Sequence, residues 1–345
     1  MKLTADHRLA LFMEGAFADN TGKMGLGILR YSSHQVVCMI DTLNAGGDSV
    51  ALTRIDRPTP IVASLKEAKA LGANVLVLGI APPGGQIPGA WKPWLDEAVA
   101  MGFSLVNGLH EPLEPKYPAL QLGQWIWDVR REPQGLQPGT GAARNLTNKR
   151  LLMIGTDMSV GKMTAGLEIV KSAKQAGIDA RFVATGQIGI TISGSGIPLD
   201  AVRLDFAAGA IEKEVLAAAE AELVVVEGQG SLIHPGSSAT LPLIRGCCPT
   251  HFVLCHRAAM EVIPRNPWVV VPPLLDLIKL YQDIAEAGGV FQRPVISGIA
   301  LNTGQLDEEQ ARDACSDLEQ SLNLPVVDVV RDGAMRLISG LGPAS

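Results

Sequence analysis

Aromatic side chains are scarce in this sequence, 4% of 345 residues, so its apolar weight falls on Ala, Val, Leu and Ile. That is the composition of buried parallel strands flanked by helices. Positive charge is not in excess either: 29 Lys and Arg against 35 Asp and Glu leave a net charge of −6. Such a balance argues against a general nucleic-acid or membrane-surface binder. No apolar run reaches the length of a membrane span, and the opening MKLTADHRLALFMEG has no signal-peptide pattern. Small-molecule partners are expected, with no nucleic acid and no membrane. The five cysteines, Cys38, Cys247, Cys248, Cys255 and Cys315, are odd in number and irregularly spaced, which fits reduced thiols in a cytoplasmic protein. Cys247, Cys248, His251, Cys255 and His256 are the one cluster that suggests metal, but residues 251–255 read as a buried strand whose alternate side chains face opposite sides. No metal site is expected there. A complete GxGxxG and any internal repeat are also absent.

What is present is abundant Gly (37) and Pro (22) between short aliphatic runs. In the first 110 residues, strands read at 8–14, 36–40, 73–80 and 103–107, with helices at 64–71 and 94–101 between them. Thr21 to Arg30 reads as a Gly-bearing turn (Gly25, Gly27) leading into a helix, and Asp41 ends the second strand. Alternating strands and helices predict a parallel sheet, and strand–turn–helix–strand–acid is the opening of a nucleotide-binding half-fold. Without the full glycine motif the preferred reading is a Rossmann-like scaffold that holds no dinucleotide. The strand-end loops at Gly15, Asp41-Thr42, Pro82–Gly85 and Asn107–His110 are expected on one rim. A stretch with two prolines and three glycines, residues 133–141, marks the domain boundary, giving a Rossmann-like domain over 1–140 and a second domain over 141–345.

The second domain opens with KRLLMIGTDMSVGKMT, residues 149–164. An apolar strand, a Gly-rich loop with a lysine and a helix together form a phosphate holder. Backbone N–H groups at the helix N-terminus face the anion, and the lysine adds charge. Gly155, Thr156, Asp157, Ser159, Val160, Gly161, Lys162, Met163 and Thr164 are the expected phosphate-binding residues. Five residues separate Gly155 from Gly161, and Met163 stands where a Ser or Thr for magnesium is usual. The loop therefore reads as a phosphate site without a commitment to ATP hydrolysis. Strands follow at 180–185, 222–227, 251–255, 295–301 and 325–330, which with the first makes a parallel sheet of about six strands. Gly186-Gln187-Ile188-Gly189 and the Gly/Ser/Ile turn region after it follow the strand at 180–185, residues 209–220 read as a helix, Pro272-Pro273 as the start of a helix to Ala285, and 307–321 as a surface helix. Glu227 ends an apolar strand, where an unpaired carboxylate is expensive to bury, so it is a site candidate. His234, seven residues on in a Gly/Ser-rich loop, is the second candidate for a general base.

The loop GTD…VGKMT resembles that of dethiobiotin synthetase, whose relatives also carry a strand-end Val-Glu-Gly, here Val226-Glu227-Gly228, and a late-strand Asn, here Asn302. The whole chain resembles DUF1611 family proteins more closely, on GTDMSVGKMT (155–164), FVATGQIGI (182–190), VEGQGSLIHPG (226–236) and VLCHR (253–257). Some members of that family are D-glutamate N-acetyltransferases. The resemblance therefore implies acetyl transfer from acetyl-CoA, a co-substrate rather than a tightly bound cofactor, to the amine of D-glutamate. On that expectation the loop holds coenzyme A phosphates and Asn302 meets the adenine. Glu227 or His234 is the base, and Gln187, Gln229 and amides at Gly228–Gly230 stabilise the oxyanion. Arg257 or Arg203 clamps the dicarboxylate. The alternatives are an ATP-dependent ligase or small-molecule kinase of the dethiobiotin-synthetase kind, and a nucleotide sensor or NAD-linked enzyme using the first domain. A homo-oligomer is expected.

Overall fold

The computed structural model describes residues 3–17 and 20–342. The chain forms two compact units, residues 1–131 with 187–201, and residues 132–186 with 202–345.

The first unit begins with β1 (Arg8–Phe12), α1 (Lys23–Tyr31), β2 (Gln35–Ile40), α2 (Ser49–Thr53), β3 (Ile61–Val62) and α3 (Leu65–Ala70). It continues with β4 (Val75–Leu78), α4 (Lys92–Ala100), β5 (Ser104–Asn107) and β6 (Ile126–Asp128). The sheet order is β3-β2-β1-β4-β5-β6, all parallel, the order of a dinucleotide-binding fold with its switch point between β1 and β4. β1, β4 and β5 are buried almost throughout, as expected for aliphatic runs covered on both faces. The structure corrects the reading of Gly25 and Gly27: both lie inside α1, not in a turn before it. Gly25 has a packing role. Its N–H donates to the Gly79 carbonyl at 2.8 Å, and a Cβ there would collide with the Met13 sulfur. Asp41, fully buried, accepts from Gly15 N at 2.8 Å and from both the backbone and side-chain nitrogens of Asn44. Asp41 thus ties the Gly15 and Asn44 loops together at the strand ends.

The second unit carries β7 (Lys149–Gly155), α5 (Lys162–Gln175) and β8 (Ala180–Val183). The chain then supplies α6 (Gln187–Ser193) to the first unit, where it packs on α1. A turn region was expected here from the glycines and β-branched residues, but a helix forms, with Thr191 Oγ1 bonded back to the Gln187 carbonyl at 2.8 Å. Back in the second unit come α7 (Leu204–Ala217), β9 (Leu223–Val226), α8 (Thr240–Cys247) and β10 (His251–Arg257). An antiparallel hairpin of β11 (Val262–Ile263) and β12 (Asn266–Val270) follows. The unit ends with α9 (Leu274–Glu286), β13 (Val295–Asn302), α10 (Glu308–Leu322), β14 (Val326–Val327) and α11 (Met335–Ser339). The six-stranded sheet runs β14-β13-β10-β7-β9-β8, every neighbour parallel, so the carboxyl ends of β9 and β10 flank that of β7. No helix among the described residues is long and apolar enough to cross a membrane.

Candidate functional site

The phosphate loop forms where β7 must pass into α5 without a regular turn. Ser159 and Gly161 adopt positive φ, 56° and 107°, and Gly161 is the residue before the helix. Glycine tolerates that conformation freely and serine does so at a cost, a strain concentrated at a site-forming loop. α5 starts at Lys162 with no side-chain cap, which leaves its first N–H groups turned to the loop. Lys162 is itself buried, 6% exposed, and its Nζ donates to the Asp157 carbonyl at 2.6 Å. Burial lowers its pKa to about 8, against smaller opposing pulls from Cys255, Asp157 and Glu227. A charged lysine this deeply placed is destabilised until an anion joins it.

Neighbouring elements fix the loop. Tyr281 of α9, fully buried, donates from its hydroxyl to the Gly155 carbonyl at 2.9 Å and accepts from Leu232 N at 3.1 Å. Ser231 Oγ donates to the Thr156 carbonyl at 3.1 Å. Gly228 must be glycine, since a Cβ there would overlap the Met153 carbonyl and crowd the Lys162 side chain. On the β10 side, Thr156 Oγ1 lies 3.1 Å from His256 Nδ1, and burial takes that imidazole down to about 4, so it is neutral at physiological pH. Arg257 donates to the Ser159 carbonyl at 3.1 Å, and the Asn302 amide nitrogen lies 3.8 Å from where a Gly161 Cβ would stand.

On the β9 side, Glu227 is 4% exposed. Its Oε2 accepts from Thr185 N at 2.8 Å and Gly186 N at 3.0 Å, and its carbonyl accepts from Thr185 Oγ1 at 2.8 Å. Gln229 donates to the same hydroxyl at 3.1 Å. Thr185 therefore sets the carboxylate and the amide together. His234 Nδ1 accepts the Gly236 N–H at 3.0 Å, while Nε2 lies 3.9 Å from Asp157 Oδ1 and 3.4 Å from the Asn266 amide. With Nδ1 already an acceptor, the neutral ring carries its proton on Nε2 and presents a donor to the loop.

Of the residues singled out from sequence, those of the loop, His234, Arg257 and Asn302 are thus brought together at the carboxyl end of one sheet, and Glu227 with Gln229 ends the strand beside them. Arg203 is engaged elsewhere in its unit: its Nε and backbone N bond the Glu132 carboxylate, and its guanidinium lies over Phe206. Gln187 belongs to the first unit as the first residue of α6. Sequence reasoning missed Tyr281 and gave His256 no role beside the loop. A tyrosine in an amphipathic helix carries no signal of its own, whereas a histidine ending an apolar strand one residue before an arginine does. Of the cysteines and histidines between 247 and 256, Cys247 closes α8, His251 opens β10 and bonds Thr250, and Cys255 is fully buried with its thiol pushed up to about 12 by burial. Among the described residues no group of three or more His, Cys, Asp or Glu is placed to hold a metal ion.

Comparison with known proteins agrees with this architecture. The family DUF1611, described as a P-loop domain of unknown function, matches residues 137–338, and its Rossmann-like N-terminal companion matches residues 43–132. A D-glutamate N-acetyltransferase from Tritonibacter scottomollicae is 36% identical over 336 residues, 96% of this chain and 97% of that protein. Another of the same name from a Pseudoalteromonas species is 36% identical over 286 residues, 81% of this chain and 84% of that protein. The crystal structure of a DUF1611 family protein from Anabaena variabilis is 47% identical, covers 97% of this chain and 99% of its own, and superposes with a TM-score of 0.94. With both halves matched and these relatives aligned over most of their length, the chain belongs to the DUF1611 family.

Proposed function

We propose that this protein transfers the acetyl group of acetyl-CoA to the amine of D-glutamate. The observation that carries the reading is the 36% identity, along nearly the whole chain, to a protein named D-glutamate N-acetyltransferase. The geometry around Lys162 supports it. Coenzyme A brings a pyrophosphate and a 3′-phosphate, and the loop offers a buried lysine, uncapped helix N–H groups and the Nε2–H of His234. Thr164 stands two residues past Lys162 rather than next to it. The loop is thus better suited to gripping phosphate than to holding magnesium for hydrolysis. Beside His256 lies an open cavity of about 380 Å³, walled by Leu301 and by Ala314, Asp317, Leu318 and Ser321 of α10. These four recur at three- and four-residue spacing, so one face of α10 lines the cavity. It suits an adenine on an apolar wall, its amino group toward Asp317.

In the reaction the substrate ammonium gives a proton to Glu227, the carboxylate fixed by Thr185 and Gly186. The freed amine attacks the thioester carbon, and the tetrahedral oxyanion accepts hydrogen bonds from Gln229 or the amides at Gly228–Gly230. The carbon–sulfur bond then breaks, and the second proton of the new ammonium nitrogen passes to the thiolate, releasing the amide and coenzyme A as its thiol. Arg257, at the loop, pairs with a substrate carboxylate. His234 serves as a donor rather than the base.

The test is thiol release from acetyl-CoA, followed with a disulfide reagent, with D-glutamate and separately with L-glutamate. Release that requires D-glutamate supports the reading. Release with neither amino acid, together with ADP formation from ATP and magnesium, would replace it with the ligase or kinase alternative.

A further inference from the structure

A second cavity lies at the other end of the same sheet. It holds about 260 Å³ and is walled by Arg144, Asn145, Arg150, Cys248, Phe291 and Gln292, among others. Arg150 is the second residue of β7, and Gly155 at the phosphate loop is its last. At about 3.3 Å per residue, Arg150 and Gly155 are roughly 17 Å apart along the strand, so this cavity is separate from the loop.

The unusual feature is Arg150. It is 2% exposed, and its partners are all neutral: the carbonyls of Cys247 and Cys248 on Nε at 3.1 and 3.0 Å, and those of Leu146 and Asn148, with the Asn148 side chain, on Nη1. Among the described residues no carboxylate pairs with it, and Nη2 makes no hydrogen bond. A guanidinium stays charged in proteins, so a buried cation faces the cavity without a counter-ion. Acids on the helices around the cavity have other partners. Glu212 accepts from Thr140 and Ala142, and Asp283 and Glu286 pair with Arg293. Arg144 adds a second, exposed guanidinium at the wall, Asn145 and Gln292 add amides, and Phe291 adds an apolar surface that Arg245 covers from 5.1 Å.

We propose that this cavity binds a small organic oxyanion, a carboxylate or a phosphate ester, held by Arg150 from inside and Arg144 from the rim. Oxygens of either group accept from the unengaged Nη2 of Arg150 and from the planar N–H fork of Arg144. The volume is too small for a coenzyme and suits a compact metabolite. A site at the amino end of the strands leaves the phosphate loop free, so the ligand is an effector rather than a substrate. This reading does not depend on the acetyltransferase proposal.

The experiment is calorimetric titration of the full chain carrying Lys162→Ala, chosen to weaken phosphate binding at the loop, with inorganic phosphate and separately with malonate. Saturable binding of at least one anion is expected, weakened tenfold or more by adding Arg144→Gln. Gln292→Glu, which sets a negative charge at the cavity mouth, is expected to weaken it similarly. Both residues are exposed, so neither substitution disturbs the core. Binding of phosphate alone identifies a phosphate ester, and binding of malonate a carboxylate. No saturable heat with either anion, or equal affinity with and without Arg144, overturns the proposal.

Discussion

Lys162 is buried, partnered by one carbonyl and held near a pKa of 8, and its titration should be visible in ligand binding. Below about pH 8 the free site already carries the proton that attracts phosphate; above it, binding must take a proton up. The dissociation constant for coenzyme A should therefore stay flat to about pH 8 and then rise by up to about tenfold per pH unit, as calorimetry across pH 7–10 would show. Lys162→Ala should remove that dependence and raise the acetyl-CoA KM roughly 10–100-fold, the loss of one or two charge-assisted hydrogen bonds. Unchanged binding would end the phosphate-holding role. Glu227→Gln keeps the shape of the side chain but removes the proton acceptor. It should lower kcat by about 10²–10⁴ with little change in KM for acetyl-CoA, measured by steady-state thiol release. The sequence carried these two residues plainly, because a lysine after glycine and an acid ending an aliphatic strand both break a local pattern. It did not show that Thr185 holds Glu227, since that contact joins residues 42 apart through two parallel strand ends.

Among the elements, α10 shows how local chemistry settles an end and not a face. Asp307 accepts from Gln310 N, and the Gln310 side chain returns to the Asp307 N–H, a capping box that starts the helix one residue after the sequence expectation. Asp307→Ala should cost about 1 kcal/mol in urea unfolding and leave the kinetic constants unchanged. α1 is the opposite case. Its glycines looked like turn residues because a helix interior normally avoids them, yet Gly25 is needed for the close approach to Gly79 and Met13. α8 and the hairpin of β11 and β12 were not foreseen. α8 carries Pro242 and Gly246, and the hairpin turns at Arg265 without a glycine, so neither offers a periodic signal.

For the molecule as a whole, parallel order was legible in the alternation of aliphatic runs with helices, and both sheets have it. Strand order was not, because it is decided by which helix covers which face. Stability should also carry the mark of His256. The unfolded chain binds a proton on this imidazole near 6.5, while the folded protein does not until about 4. Between those values acid favours the unfolded state. Unfolding free energy should fall by up to about 3 kcal/mol from this group alone as pH drops from 7 to 4, and His256→Gln should flatten the profile by that amount. Equal slopes in the two proteins would mean that the imidazole is not held neutral.

The passage of the chain into the first unit at residues 187–201 and back again has a practical corollary. The backbone changes unit after Arg131, after Gly186 and after Ala201, so no single cut yields two complete halves. A fragment ending at Arg131 lacks α6 and bares the surface of α1 that α6 covers, whereas a fragment beginning at Glu132 carries α6 with nothing of its own unit to pack on. Anyone wishing to graft the phosphate-binding half onto another scaffold must first replace residues 187–201 with a short loop.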